Sequence, residues 1–195
     1  PLLNPAGAEY EVLGVYSPKL LKDYARTAKA LGAKRVMVVC SQDGYDEISP
    51  IVPTDVYQID EKGNENQYVI KPENFGISGC DENELIGGNG KENASLAMDV
   101  LEGKGKNTIK QAVALNTAAV LYLSGKTRTL KDGYAMAISS IESGKAVTTL
   151  VLISMSLLTF SYLSLFLNKI PSFILSVLLA LNPIVLAQLF NYYVD

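Results

Sequence analysis

Val36-Met-Val-Val-Cys-Ser-Gln-Asp-Gly-Tyr-Asp-Glu-Ile-Ser-Pro50 decides the fold. Its first five residues are an unbroken apolar run rich in β-branched side chains, which suits a strand covered on both faces, as in a sheet flanked by helices. Ser41, Gln42, Asp43 and Gly44 are turn formers and end that strand at once. Asp43, Asp46 and Glu47 therefore fall just beyond the carboxyl end of a buried strand, where open α/β sheets place their ligands. Three carboxylates so close together suit a hard divalent cation. Magnesium keeps several waters and takes one or two carboxylates plus substrate phosphates, so the adjacent Asp46-Glu47 pair is adequate protein ligation. The same letters also read as plain loop, with Asp43 and Asp46 closing Asx-turns and Glu47 solvated. Spacing alone leaves both readings open.

Upstream, Ser17-Pro18 predicts an N-cap with proline at the first helical position, and Leu20, Leu21, Tyr24, Ala25, Ala28 and Leu31 mark one helical face that Gly32 ends. Helix followed by strand is the α/β alternation. Residues 1–16 open with Pro, Asn and Gly and are expected to be irregular. Downstream, residues 54–60 alternate, Lys62-Gly-Asn-Glu-Asn supplies a turn, and residues 67–70 complete an antiparallel hairpin. Residues 72–84 read as loop. Gly87-Gly88-Asn89-Gly90 lacks the glycine spacing of a phosphate loop and is expected to be a turn before a helix. Three helices follow: residues 93–101, a longer one capped by Asn107, and one opened by a Thr129–Asp132 capping box and ended at Gly144. Asn116, among Ala, Val and Leu, reads as an amide satisfied by neighbouring backbone and is given no chemistry.

A chain of 195 residues with formal net charge −3 has no basic footprint, so nucleic acid is excluded as a partner. Cys40 and Cys80 are far apart, lack the paired spacing of a zinc site, and read as reduced thiols.

Several segments together point to one family: Pro1 to Ala6, Val12-Leu-Gly-Val-Tyr-Ser-Pro18, the acidic loop, Pro72-Glu-Asn-Phe-Gly-Ile77, Gly87-Gly-Asn-Gly-Lys-Glu-Asn-Ala94, Leu115-Asn-Thr-Ala-Ala with Leu121-Tyr122, and Ser143-Gly-Lys-Ala146. Over residues 1–146 the chain resembles the second half of an anthranilate phosphoribosyltransferase. The family's Gly-Thr-Gly-Gly-Asp, Asn-x-Ser-Thr and Lys-His-Gly-Asn segments have no counterpart here, and a chain without histidine or an initiating Met is expected to be a fragment.

The resemblance implies an α/β fold, the C-terminal part of the phosphoribosyltransferase/nucleoside phosphorylase-like domain. It implies transfer of the phosphoribosyl group of 5-phosphoribosyl diphosphate to anthranilate in tryptophan biosynthesis, by a cytoplasmic enzyme that is a homodimer at full length. Asp46 and Glu47 match the family's magnesium-binding pair. Pro1 matches the proline of its Gly-Pro-Leu motif, which lines the anthranilate site. No catalytic residue is assigned. Cys40-Ser41 departs from the His-Gly or Tyr-Gly of relatives, and Ser41 would restrict the turn if that position needs positive φ. The alternatives are a nucleoside phosphorylase-like enzyme with another acceptor and a noncatalytic, membrane-anchored remnant.

After Ala146 the only charges are Lys169 and Asp195. Residues 147–167 and 170–190 are each long enough to span a bilayer at the ~20 residues required, with a turn at residues 168–171. Residues 147–195 are thus expected to be a hydrophobic helical tail outside the α/β domain of residues 1–146. Three readings stay open: a hairpin in membrane, a buried helical cap, and out-of-frame or misjoined sequence.

Overall fold

The computed structural model describes residue 2, residues 7–163, and residues 165, 173 and 174. The elements run β1 (Tyr10–Gly14), α1 (Leu21–Ala30), β2 (Arg35–Ser41), β3 (Thr54–Ile59), β4 (Glu65–Ile70), α2 (Gly90–Leu101), α3 (Asn107–Leu123), α4 (Leu130–Glu142) and α5 (Lys145–Leu163). The sheet order is β1-β2-β3-β4, with β1 and β2 parallel and the remaining pairs antiparallel. This is the α/β sheet with a β3–β4 hairpin that the sequence predicts.

Strand β2 carries the core on both faces because side chains alternate along a strand. Val36, Val38 and Cys40 turn towards α1, joining Leu13, Leu21, Ala25, Ala28 and Ile59. Met37 and Val39 turn the other way, joining Val56, Ile48, Leu115, Ala119 and Leu123. Val36, Met37 and Val38 are completely buried, and each side chain taken fully out of water contributes about 1.5–3 kcal/mol before entropy is counted.

The amino-terminal stretch is not irregular throughout. Tyr10–Gly14 is a strand, because pairing with β2 lets Val12 opposite Met37 and Leu13 opposite Val38 bury on opposite faces. Ser17 makes no side-chain cap. Its carbonyl instead accepts from Leu20 N at 3.0 Å, giving a 3-10 turn over Pro18–Leu20 before α1. Leu21, Ala25 and Ala28 are buried as expected, while Leu31 lies outside the packed face. Helix α2 starts earlier than predicted, since Asn89 and Glu92 form a capping box. Asn107 is the first residue of α3 rather than its cap. The Thr108 side chain and the Thr108 N–H, which donates to the Glu84 carboxylate at 2.9 Å, together hold Glu84 below its ordinary pKa. Thr129 caps α4 by accepting from Asp132 N, and Gly144 ends it at positive φ. Helices α3 and α4 cross closely at Gly133, where a Cβ would lie 2.9 Å from the carbonyl oxygen of Ala118.

Helix α5 behaves differently. Val147 is buried, but Ile153, Leu157, Leu158 and Tyr162 are exposed. By length and composition Lys145–Tyr162 could cross a membrane, with mean hydropathy 1.4. The second apolar run, residues 170–190, lies outside the described residues apart from 173 and 174.

Candidate functional site

The acidic loop begins where the β2 ladder ends. Ser41 N donates to Tyr45 O and Gly44 N to Ser41 O, each at 3.0 Å, and Gly44 takes the positive φ of +91° that the turn requires. Ser41 itself is an extended residue at the end of β2. No described residue other than glycine has positive φ, so serine at position 41 does not restrict the turn.

The three acids separate into two roles. Asp43 is tied into the loop: the Ser41 hydroxyl donates to Oδ1, the Ser49 hydroxyl donates to Oδ2 at 2.9 Å, and Tyr45 N approaches Oδ1 at 3.5 Å. Ser49 Oγ in turn accepts from Ile51 N and Val52 N, and the buried Thr54 hydroxyl accepts from Ser49 N at 3.1 Å. The Asx-turn expectation therefore describes Asp43, and the three-carboxylate grouping does not form. Among the described residues no cluster of three or more Asp, Glu, Cys or His is assembled to hold a metal.

Asp46 and Glu47 are exposed, and no described residue hydrogen-bonds or ion-pairs with either carboxylate. Their oxygens keep their full acceptor capacity. Two adjacent free carboxylates fit an ion that takes one or two protein carboxylates and completes its shell with water and phosphate oxygens, and they do not fit one that needs an all-protein cage.

The backbone on either side of the pair is fixed. Gly14, at the end of β1, lies so close under Asp46 that a Cβ built on it would be 1.6 Å from the Asp46 carbonyl oxygen. On the far side, the Asn116 amide on α3 accepts from Ile48 N at 3.0 Å and donates to Ile48 O at 3.2 Å and to Ala112 O at 3.0 Å. Asn116 is thus the backbone-satisfied amide that its apolar surroundings predict, and the backbone it satisfies adjoins Glu47. Sequence reasoning gave Gly14 no role; a glycine closing an apolar strand is the available signal for close backbone approach.

Burial pushes the thiols of Cys40 and Cys80 above the usual range, which disfavours thiolate. A hollow of about 770 Å³ lies between Arg35, Tyr68, Tyr122 and Arg128, at the end of the sheet where β2 begins rather than where it delivers the acids. Pro1, the residue matched to an anthranilate-lining proline, lies outside the described residues.

Comparison with known proteins agrees with this architecture. The sequence profile of the glycosyl transferase family, a/b domain, matches residues 1–147. An anthranilate phosphoribosyltransferase of Methanobrevibacter smithii is 42% identical over 146 residues, covering 75% of this chain and 43% of the relative. One of Ruminiclostridium cellulolyticum is 43% identical over 146 residues, covering 42% of its length. Among solved structures, the anthranilate phosphoribosyltransferase of Thermus thermophilus superposes with a TM-score of 0.64 at 38% identity, covering 74% of this chain and 42% of that one. The Saccharomyces cerevisiae enzyme in complex with PRPP and Mg gives 0.65 at 30% identity, covering 91% of this chain and 45% of that one. The chain spans less than half the length of these relatives. With a profile match over residues 1–147 and the same α/β sheet, the chain belongs to the glycosyl transferase family, as a bearer of its a/b domain.

Proposed function

We propose that this chain is the second half of an enzyme that transfers the phosphoribosyl group of 5-phosphoribosyl diphosphate to the amine of anthranilate, releasing diphosphate in tryptophan biosynthesis, and that Asp46 and Glu47 are its magnesium-holding residues. The observation that carries this reading is the pair of exposed, partner-free carboxylates beyond the carboxyl end of β2, beside an Asp43 already committed to the loop. The relatives support the substrates: the yeast structure contains PRPP and Mg, and another contains 4-fluoroanthranilate.

Displacing diphosphate from the anomeric carbon builds negative charge on the leaving group. A magnesium ion at Asp46 and Glu47 would supply the compensating positive charge there. This chain's own residues hold the loop shape through Asp43, Ser41 and Ser49, and present the two acids to solvent. Pro1 is the proposed contact to anthranilate. The enzyme is proposed to work in the cytoplasm as a homodimer, with residues 1–146 as its α/β part and residues 147–195 as an appended apolar tail.

Two measurements test the reading. The 195-residue chain alone, given magnesium, anthranilate and 5-phosphoribosyl diphosphate, is expected to consume no anthranilate. Orienting two reactants contributes up to ~7–11 kcal/mol to such a rate, and the chain spans under half of its relatives. Turnover by the chain alone would overturn its place as half of a site. Separately, Mn²⁺ titration followed by electron paramagnetic resonance should show binding that Asp46→Asn with Glu47→Gln abolishes. Undiminished binding by the double variant would remove the metal site.

A further inference from the structure

We infer that Gly14 and Asn116 are positioning residues for the Asp46–Glu47 pair, gripping the peptide chain immediately before and immediately after Glu47; this rests on the reading of that pair as the magnesium site. The grip on the first side is steric. Gly14 does not have positive φ, so glycine is not needed there for its own backbone conformation. It is needed because the Asp46 carbonyl crosses the end of β1: an added Cβ would meet its oxygen at 1.6 Å, its carbon at 2.6 Å and the Asp46 Cβ at 2.8 Å. All three contacts are to backbone or Cβ, so no side-chain rotation relieves them, and any larger residue must push Asp46 outward.

The grip on the second side is directional. Burying Ile48, a residue 1% exposed, fixes where it sits, and the Ser49 N–H bond to Thr54 Oγ1 holds the peptide after it, but neither holds the peptide between Glu47 and Ile48. The Asn116 amide holds it by accepting from Ile48 N, and also donates to Ile48 O, as a neighbouring strand would. Glu47 then has fixed backbone on both sides, and only its side-chain torsions are left to meet an ion. The Asp43 network brackets this stretch through Tyr45 O and Ser49, but makes no bond to Asp46, to Glu47 or to Ile48 N, so the peptide joining Glu47 to Ile48 is held by Asn116.

Outer residues that orient metal ligands typically cost 10–100-fold in affinity when replaced. The test is Mn²⁺ titration of the full chain by electron paramagnetic resonance, with the melting temperature of each variant and metal-free hydrogen exchange at Ile48 N–H. Gly14→Ala and Asn116→Leu are each expected to weaken Mn²⁺ binding about tenfold, and Asn116→Leu to speed exchange at Ile48. Leu123→Ala, a cavity variant near the far end of α3, is the control: it should lower the melting temperature and leave Mn²⁺ affinity unchanged.

If Asp46→Asn with Glu47→Gln loses Mn²⁺ while both positioning variants bind as the parent does, the inference fails and the metal site stands. If the double acid variant binds Mn²⁺ undiminished, the metal reading itself fails. If one positioning variant does not fold, the other decides. Should both unfold, or should Leu123→Ala weaken binding equally, Gly14 and Asn116 serve the fold as a whole and the inference is overturned.

Discussion

Strand β2 and helix α5 are both long apolar runs, and the molecule treats them in opposite ways. From Val36 to Cys40 every residue is buried, whereas among the described residues of α5 only Val147 is, and Leu158 is 71% exposed. Composition does not separate them. What does is the supply of partners: β2 has α1 on one face, α3 on the other and a hydrogen-bonded strand along each edge. Helix α5 contacts α4 and α2, yet Ile153, Leu157, Leu158 and Tyr162 along it are exposed. Apolar character states that a segment must be covered, and topology decides by what. By length and composition this helix could cross a membrane, and a contiguous apolar face is unusual on a protein kept in water.

The sharpest way to break the contrast is to put the same charge into each run. Val38→Asp should destabilise the chain by more than about 4 kcal/mol, because it buries a carboxylate with no counter-charge. Leu158→Asp should shift stability by no more than about 0.5 kcal/mol. Urea unfolding of both variants checks this, and equal losses would mean that α5 is core. Next in size, Met37→Ala should cost about 2–5 kcal/mol through the cavity left between β2 and α3, read as a drop in the denaturation midpoint with unchanged slope.

A smaller effect probes the surface that ties β4 to α1. Arg26 donates twice to Glu65, at 2.8 and 2.9 Å, and Tyr57 donates to it as well. These donors, Arg26 foremost, lower the Glu65 pKa from its ordinary 4.5 to about 2. A carboxyl depressed on folding binds fewer protons in the native than in the unfolded chain, so its contribution is present above pH 4.5 and is lost as pH falls towards 2. Glu65→Gln should therefore lower the melting temperature modestly at neutrality, flatten the acid limb of melting temperature against pH in that window, and converge with the parent towards pH 2. A limb as steep as the parent's would mean that the pair is open in solution. Smallest of all should be the stability change on ending the chain after Thr149, which keeps buried Val147 and removes the exposed apolar turns. The shortened chain is expected to keep its α/β circular dichroism and to need no detergent. Unfolding instead would make the tail part of the core.

The sequence made some of this visible for physical reasons. An uninterrupted β-branched run has few fates other than a doubly covered strand, and the alternation from Thr54 together with the turn residues around Gly63 specified the hairpin. Strand β1 was illegible because it is short and follows Pro, Asn and Gly; it becomes a strand only through its register on β2. The early start of α2 was hidden by four residues, three of them glycine, whose turn propensity masked the Asn89–Glu92 box. At the loop, three identical charges in a row of letters do not say which is free. The answer came from the hydroxyls of Ser41 and Ser49, which take Asp43 and leave Asp46 and Glu47. Likewise Asn116 could be read as a satisfied amide, but not as one satisfied by a residue 68 positions away.

The two free thiols give the molecule a built-in pair of clocks. Cys40 is sealed between β2 and α1, whereas Cys80 sits half-covered ahead of the 3-10 turn at Glu82–Leu85. A thiol reagent can reach Cys80 through local breathing of that turn, but reaches Cys40 only when the sheet parts from α1. Under native conditions the slower alkylation rate then measures how often the whole α/β layer opens, and the faster one how often its rim does.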